Sequence, residues 1–183
     1  MCSACYEKLL HLPVKVNRVV EGVNIYCAGE YCEELQKLIR GLKYHKRKDL
    51  AFYQAKFMYD YWKNLNFEGK FEVVPVPLHK KRQRKRKYNH MELVAKEFCR
   101  LTGFEENFDL IKRIKDTKAQ YNLTKAQRVE NLSGAFEITP NTDKKLLIID
   151  DICTTGTTFE AIVKELKKHN ITDIVCFATA TPL

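Results

Sequence analysis

Two adjacent acids, Asp150 and Asp151, close the apolar run Leu146 to Ile149 and are followed at once by Thr154, Thr155, Gly156, Thr157 and Thr158. An apolar, β-branched run of this length reads as a buried strand, and the carboxyl end of such a strand is where open α/β sheets bind their ligands. A hydroxyl-rich turn opening a helix offers free backbone N–H groups, the helix dipole and side-chain O–H donors to a phosphate, and Gly156 lets the backbone approach closely. Carboxylates would repel a bare phosphate, so the acids suit sugar hydroxyls or a hydrated Mg²⁺. Together they describe a site for ribose 5-phosphate. N-capping of an ordinary helix accounts for one acid and one hydroxyl, not for four threonines around a glycine. A P-loop is excluded, because no glycine precedes Gly156 at the required spacing and no Lys-Ser/Thr follows it. Cys153 reads as a small loop residue, with no histidine near it in sequence to activate it.

The elements that must position these residues follow from periodicity. Thr157 to His169 is a helix with Phe159, Ile162, Val163 and Leu166 inward, and Asp173 to Ala180 is another strand. Strand, helix, strand implies a right-handed parallel crossover. Upstream, Glu33 to Tyr44 and Asp49 to Leu65 carry apolar residues at helical spacing. Phe71 to Pro77 reads as a short strand ending at Pro75, and Tyr88 to Leu101 as a helix stopped by Gly103. Leu110 to Lys118 is ambiguous, Gln120 to Leu132 reads as a loop or loosely held helix, and Gly134 to Ile138 resumes a strand pattern.

The 183 residues, 45% hydrophobic, suffice for one core plus a small appendage. Thirty-two Lys and Arg against 23 Asp and Glu give a net charge of +9, which favours polyanionic partners. Seven cysteines, mostly single within apolar stretches, fit a reducing, cytoplasmic compartment better than a secreted disulfide framework. No run approaches the ~20 apolar residues that span a bilayer.

The stretch Leu146 to Thr158 resembles the 5-phosphoribosyl-1-pyrophosphate signature of type I phosphoribosyltransferases. Two further stretches narrow the resemblance to the competence protein F (ComF) family. Val74-Pro-Val-Pro-Leu-His79 with Arg82, Arg86 and Asn89 resembles a V-P-V-P strand end with spaced arginines and an R-G-F-N-Q element, in which Lys87-Tyr88 here replaces Gly-Phe and His90 replaces Gln. Arg113, Thr117, Gln120, Leu123, Arg128, Asn131 and Gly134-Ala-Phe136 resemble the family's R-x-x-x-T-x-x-Q segment followed by R-x-x-N-x-x-G-A-F.

The resemblance implies an α/β chain of type I phosphoribosyltransferase fold: a mainly parallel sheet flanked by helices, a flexible hood, and a short cysteine-containing N-terminal appendage. Residues 1–30 would form the appendage and residues 31–183 the phosphoribosyltransferase-like domain. Asp150 and Asp151 would bind the ribose 2′ and 3′ hydroxyls or Mg²⁺, and Thr154 to Thr158 the 5′-phosphate. Val76, Pro77 and His79 would lie at the pyrophosphate loop, with Arg113, Lys118 and Arg128 as hood cations. A catalytic site would displace pyrophosphate from C1 of the ribose with Mg²⁺ assisting, onto an amine or nucleobase that nothing in the sequence identifies.

Lys80, Lys81, Arg82, Arg84, Lys85, Arg86 and Lys87 put seven cations in eight positions, broken only by Gln83. So dense a run repels itself unless an anion is near, which points to phosphate or nucleic acid, although a solvated loop is the simpler reading. Lys43 to Lys48 is a second basic cluster, with Tyr44 as a stacking ring. These features and the resemblance support a rival reading, a non-catalytic protein handling single-stranded DNA during DNA uptake alongside competence or recombination proteins. Its place would be cytoplasmic, with a peripheral position at the inner membrane left open. Cys2 and Cys5 have the C-x-x-C spacing of half a zinc site, Cys27 and Cys32 are the remaining candidates to complete it, and a free-thiol terminus is the alternative.

Overall fold

The computed structural model describes residues 3–10, 18–117 and 124–182. A six-stranded sheet organises them, with strand order β1-β2-β8-β7-β3-β4. In chain order these are β1 (Arg18–Val20), β2 (Val23–Glu30), β3 (Glu72–Pro75), β4 (Glu105–Glu106), β7 (Leu146–Ile152) and β8 (Ile174–Thr181). All neighbours are parallel except the β1–β2 hairpin. A separate antiparallel ribbon joins β5 (Ile111–Arg113) to β6 (Phe136–Ile138).

Side chains alternate across a strand, so β7 feeds two cores. Leu147 and Ile149 face the helices α1 (Ser3–Leu10), α2 (Glu33–Tyr44), α3 (Leu50–Trp62) and α5 (His90–Thr102). There Trp62 lies among Phe67, Phe71, Phe98, Phe104 and Phe177 at centroid distances of 4.9–6.1 Å. Leu146 and Ile148 face α7 (Thr157–Lys168) and the β5–β6 ribbon, through Phe159, Ile162 and Phe136. The chain leaves β3 toward α5 on one face and leaves β7 toward α7 on the other. A crevice therefore opens between the carboxyl ends of β3 and β7, the switch point at which such sheets bind ligands.

One expectation changes and three open readings resolve. Residues 23–30 do not belong to an appendage: β2 pairs in parallel with β8 in the register Ile25↔Cys176, and its Val23, Ile25 and Cys27 are core. The domain thus begins upstream of residue 31. The basic run is not a loop but the helix α4 (Lys80–Arg86), ended by Lys87 in the left-handed conformation at φ 68°. Part of the ambiguous segment is β5. Within the polar middle, α6 (Lys125–Leu132) is held by a capping box between Thr124 and Gln127. Among the described residues no helix is long and apolar enough to cross a membrane.

Candidate functional site

β7 runs on through both acids to Ile152, the chain turns through Cys153 to Gly156, and α7 begins at Thr157. β3 ends at Pro75, and Val76 N–H still donates to Ile149 O at 2.9 Å, so the two strand ends stay in register. Between them lies a cavity of about 720 Å³. Eight Lys and Arg side chains line it against two carboxylates, Asp150 and Asp151. That imbalance suits an anion of several charges.

Thr154, Gly156, Thr157 and Thr158 line the cavity at the N-terminus of α7, whose first N–H groups have no partner within the helix. Thr155 does not line it; its hydroxyl shares a 3.0 Å hydrogen bond with that of Thr157. Gly156 sits at φ +81°, and a Cβ there would approach Ile25 Cδ1 at 3.1 Å and Val20 Cγ1 at 3.2 Å, so the turn rests on the β1–β2 hairpin. Two arginines brace it. Arg128 donates to Thr154 Oγ1 at 2.5 Å, and Arg18 donates to Thr154 O and to Thr181 Oγ1. Arg18 carries no sequence signal, being one cation in a three-residue strand.

The two acids point to opposite faces of the sheet, as strand alternation requires. Asp151 is buried and faces α2 and α5, where its Oδ2 accepts from Lys43 Nζ at 2.6 Å and from His90 Nε2. Burial opposes its charge, but Lys43 and His90 outweigh that and hold the carboxyl far below the usual range. Asp150 is half-buried and forms no salt bridge among the described residues; its Oδ1 accepts from Asp151 N–H at 2.8 Å. Burial first, then the charge of Asp151, push its carboxyl well above the usual range. Burial pushes the pKa of His90 down, against the opposing pull of Asp151. Lys43 and His90 therefore join the site. Lys43 was legible only as one cation of a basic cluster, and His90 only as a departure from a family pattern.

Arg113 is 9% exposed and lines the cavity from the ribbon, its guanidinium 5.5 Å from the Phe136 ring centroid. It donates to Thr117 Oγ1, and its buried Nε has no partner. Burial, then the nearby Arg82 charge, push its pKa down to about 10. Val76 and Pro77 line the cavity, whereas His79 turns away to cap α4, its Nδ1 accepting from Lys81 N–H at 3.4 Å. Lys118 lies outside the described residues. Of the basic run, Arg82, Lys85 and Arg86 line the cavity; Lys80, Lys81, Arg84 and Lys87 do not, and Lys81 pairs with Asp116 at 2.8 Å. Arg86 also stacks over Tyr44 at 5.3 Å, which sets an exposed ring beside the cavity mouth.

Among the described residues, Cys27 and Cys32 are not brought together. Cys27 is core on the α7 face, where its thiol meets that of Cys153, whereas Cys32 caps the start of α2 against the opposite core. Opposite faces of one sheet cannot offer both to one ion. Cys2 and the side chain of Cys5 lie outside the described residues.

Comparison with known proteins agrees with this geometry. The phosphoribosyl transferase domain family matches residues 92–182. The chain is 28% identical to Competence protein F of Haemophilus influenzae, over 83% of this chain and 70% of the relative. It is 25% identical to DNA utilization protein YhgH of Salmonella typhimurium and 24% identical to that of Escherichia coli, in each case over 92% of this chain and 72% of the relative.

Proposed function

Since the chain belongs to the ComF family of phosphoribosyltransferase-domain proteins, we propose that its cavity binds 5-phosphoribosyl-1-pyrophosphate together with Mg²⁺. One observation carries the reading: a hydroxyl-lined helix N-terminus and an acid with no salt bridge among the described residues line one cavity, whose second carboxylate, Asp151, is paired with Lys43 and whose remaining charged lining is positive. The 5′-phosphate takes the N–H groups at the start of α7 and the hydroxyls of Thr154, Thr157 and Thr158. Asp150 accepts from the sugar hydroxyls, and Arg113 and Arg82 face the pyrophosphate beside Val76 and Pro77. Arg113 has an N–H to spare, and a buried donor without a partner is satisfied by an arriving phosphate oxygen.

The donor set fits Mg²⁺, because Asp150 and the threonine hydroxyls are hard oxygen ligands and no described cation occupies Asp150. When bound, Mg²⁺ supplies charge neutralisation to the pyrophosphate oxygens. Transfer of the phosphoribosyl group would place the developing pyrophosphate charge among Arg82, Arg113 and the hood.

Calorimetric titration of phosphoribosyl pyrophosphate with Mg²⁺ into wild type and Asp150→Asn tests the reading. Micromolar binding that disappears in the variant supports it; absence of any wild-type signal overturns it. A second reading, single-stranded DNA handling, is favoured by α4 and by the Tyr44–Arg86 stack, which offer backbone charge and a base-stacking ring side by side. The names of the relatives, competence and DNA utilization, support it as well. Zinc at Cys2 and Cys5 is a separate proposal that rests on spacing. Metal analysis of chelator-free protein tests it, and less than about a tenth of an equivalent removes it.

A further inference from the structure

The signature places two acids side by side, and the simplest expectation gives both to the sugar. We infer instead that Asp150 alone reads the ribose hydroxyls, while Asp151, anchored by Lys43 and His90, is a positioning residue that aims the Asp150 carboxylate. The inference rests on the sugar-phosphate reading above and assigns its hydroxyl specificity.

Three observations carry it. The first is direction: Asp151 reaches Lys43 of α2 and His90 of α5, on the face of Leu147 and Ile149, and alternation turns Asp150 to the face of Ile148, near enough to Arg113 for its charge to be felt there. The second is occupancy. Asp151 Oδ2 accepts from both Lys43 Nζ, at 2.6 Å, and His90 Nε2, and the side chains of these three residues are 8%, 17% and 3% exposed. The His90 ring is itself fixed. Asn89 caps α5 by accepting from Met91 N–H at 3.1 Å, and Arg86 Nη1 lies 3.4 Å from His90 Nδ1. An Nε2–H tautomer satisfies both sides, donating to Asp151 and accepting from Arg86. The third is a mechanical link: Asp151 N–H donates to Asp150 Oδ1 at 2.8 Å, leaving the other oxygen of Asp150 for a ligand. Lys43 and His90 thus act on the sugar through Asp151 and its main chain.

The test compares ribose 5-phosphate with 2-deoxyribose 5-phosphate, titrated with Mg²⁺ into the full-length chain. With the Asp150 carboxyl ionised by the Mg²⁺ titrated alongside the ligand, a hydrogen bond from a hydroxyl to this charged acceptor predicts a wild-type preference for ribose of roughly tenfold or more. Asp150→Asn should collapse that preference to about twofold or less. Asp151→Asn and Lys43→Met should weaken both ligands together, by roughly tenfold, with the preference kept within about twofold of wild type. Should Asp151→Asn fail to fold, His90→Leu and His90→Gln take its place. Leucine should weaken both ligands equally, and glutamine, which keeps an N–H for Asp151, should restore them. Loss of the ribose preference in Asp151→Asn or His90→Leu, with wild type binding normally, overturns the inference alone. No binding of either ligand by wild type overturns the sugar-phosphate reading and this inference with it.

Discussion

Gly156→Ala probes the phosphate turn from two sides at once. Its φ of +81° lies in the left-handed region, where a side chain costs roughly 1–2 kcal/mol. The new methyl would also press on Ile25 Cδ1 at 3.1 Å and Val20 Cγ1 at 3.2 Å, and forcing a methyl into a packed contact costs about 1–2 kcal/mol more. The sum, about 2–4 kcal/mol, corresponds to a fall in Tm of about 4–16 °C for a chain of this size. Relief comes from moving Thr154 to Thr157, which displaces the N–H groups a phosphate needs, so ribose 5-phosphate affinity should fall at least about tenfold. Gly69→Ala is the control: its φ is +84°, but nothing lies within 4 Å of the added Cβ, so only the backbone cost of roughly 1–2 kcal/mol applies and affinity should not move. Thermal denaturation and calorimetric titration of both variants decide it. If Gly156→Ala is no more destabilised than Gly69→Ala and binds ligand as wild type does, the turn neither leans on the β1–β2 hairpin nor holds a phosphate.

Arg113→Met should leave stability unchanged or raise it, because a buried cation with an unpaired Nε is replaced by an apolar chain, while pyrophosphate affinity falls more than about tenfold; urea denaturation and titration read the two effects separately. Burial lowers the pKa of His90, so the unfolded chain takes up its proton first and stability is lost as pH falls below about 6.5, by at most about 1.4 kcal/mol per pH unit. His90→Gln should flatten that part of the stability profile in urea unfolding between pH 7 and 5. Replacing Lys80, Lys81, Arg84 and Lys87 with Gln should reduce the salt dependence of single-stranded DNA affinity by about 0.7 in logarithmic slope per lost phosphate contact, and leave sugar-phosphate binding unchanged, as anisotropy and calorimetry would read.

The last third of the molecule was legible because its signals are local. Leu146 to Ile149 is a continuous apolar run, Phe159, Ile162, Val163 and Leu166 recur at helical spacing, and the acids and threonines stand together between them. β2 was missed because Ala28, Gly29 and Glu30 dilute its alternation, and because its partner β8 lies some 150 residues away, beyond any local pattern. α4 was hidden by its charge: seven residues without a buried side chain have no apolar period to read, and the cap from His79 is the only local signal. Asp150 and Asp151 were recognisable as a pair, yet their separation onto two faces follows from how far β7 extends, which the polar letters after Ile149 do not announce. Lys43 and Arg18 reach the site only through the folding of α2 and β1 around it.

The sugar-phosphate and nucleic-acid readings share side chains, so the basic run cannot be treated as one unit. Arg82, Lys85 and Arg86 line the cavity, and Arg86 also faces His90 and Tyr44. Neutralising all of Lys80 to Lys87 would therefore strip cations from the ligand cavity as well as from the outer surface, and a loss of both affinities would mean nothing. The outward residues of α4 and Lys87 can be changed without touching the cavity lining. Asp150 can be changed without removing a salt bridge among the described residues, whereas Asp151 holds Lys43 and His90 in place. Its replacement leaves buried donors short of an acceptor, a change felt by the whole fold. The informative pair of perturbations is therefore Asp150 against the outer face of α4: one alters the acid that meets the ligand, the other alters charge that the ligand cannot reach.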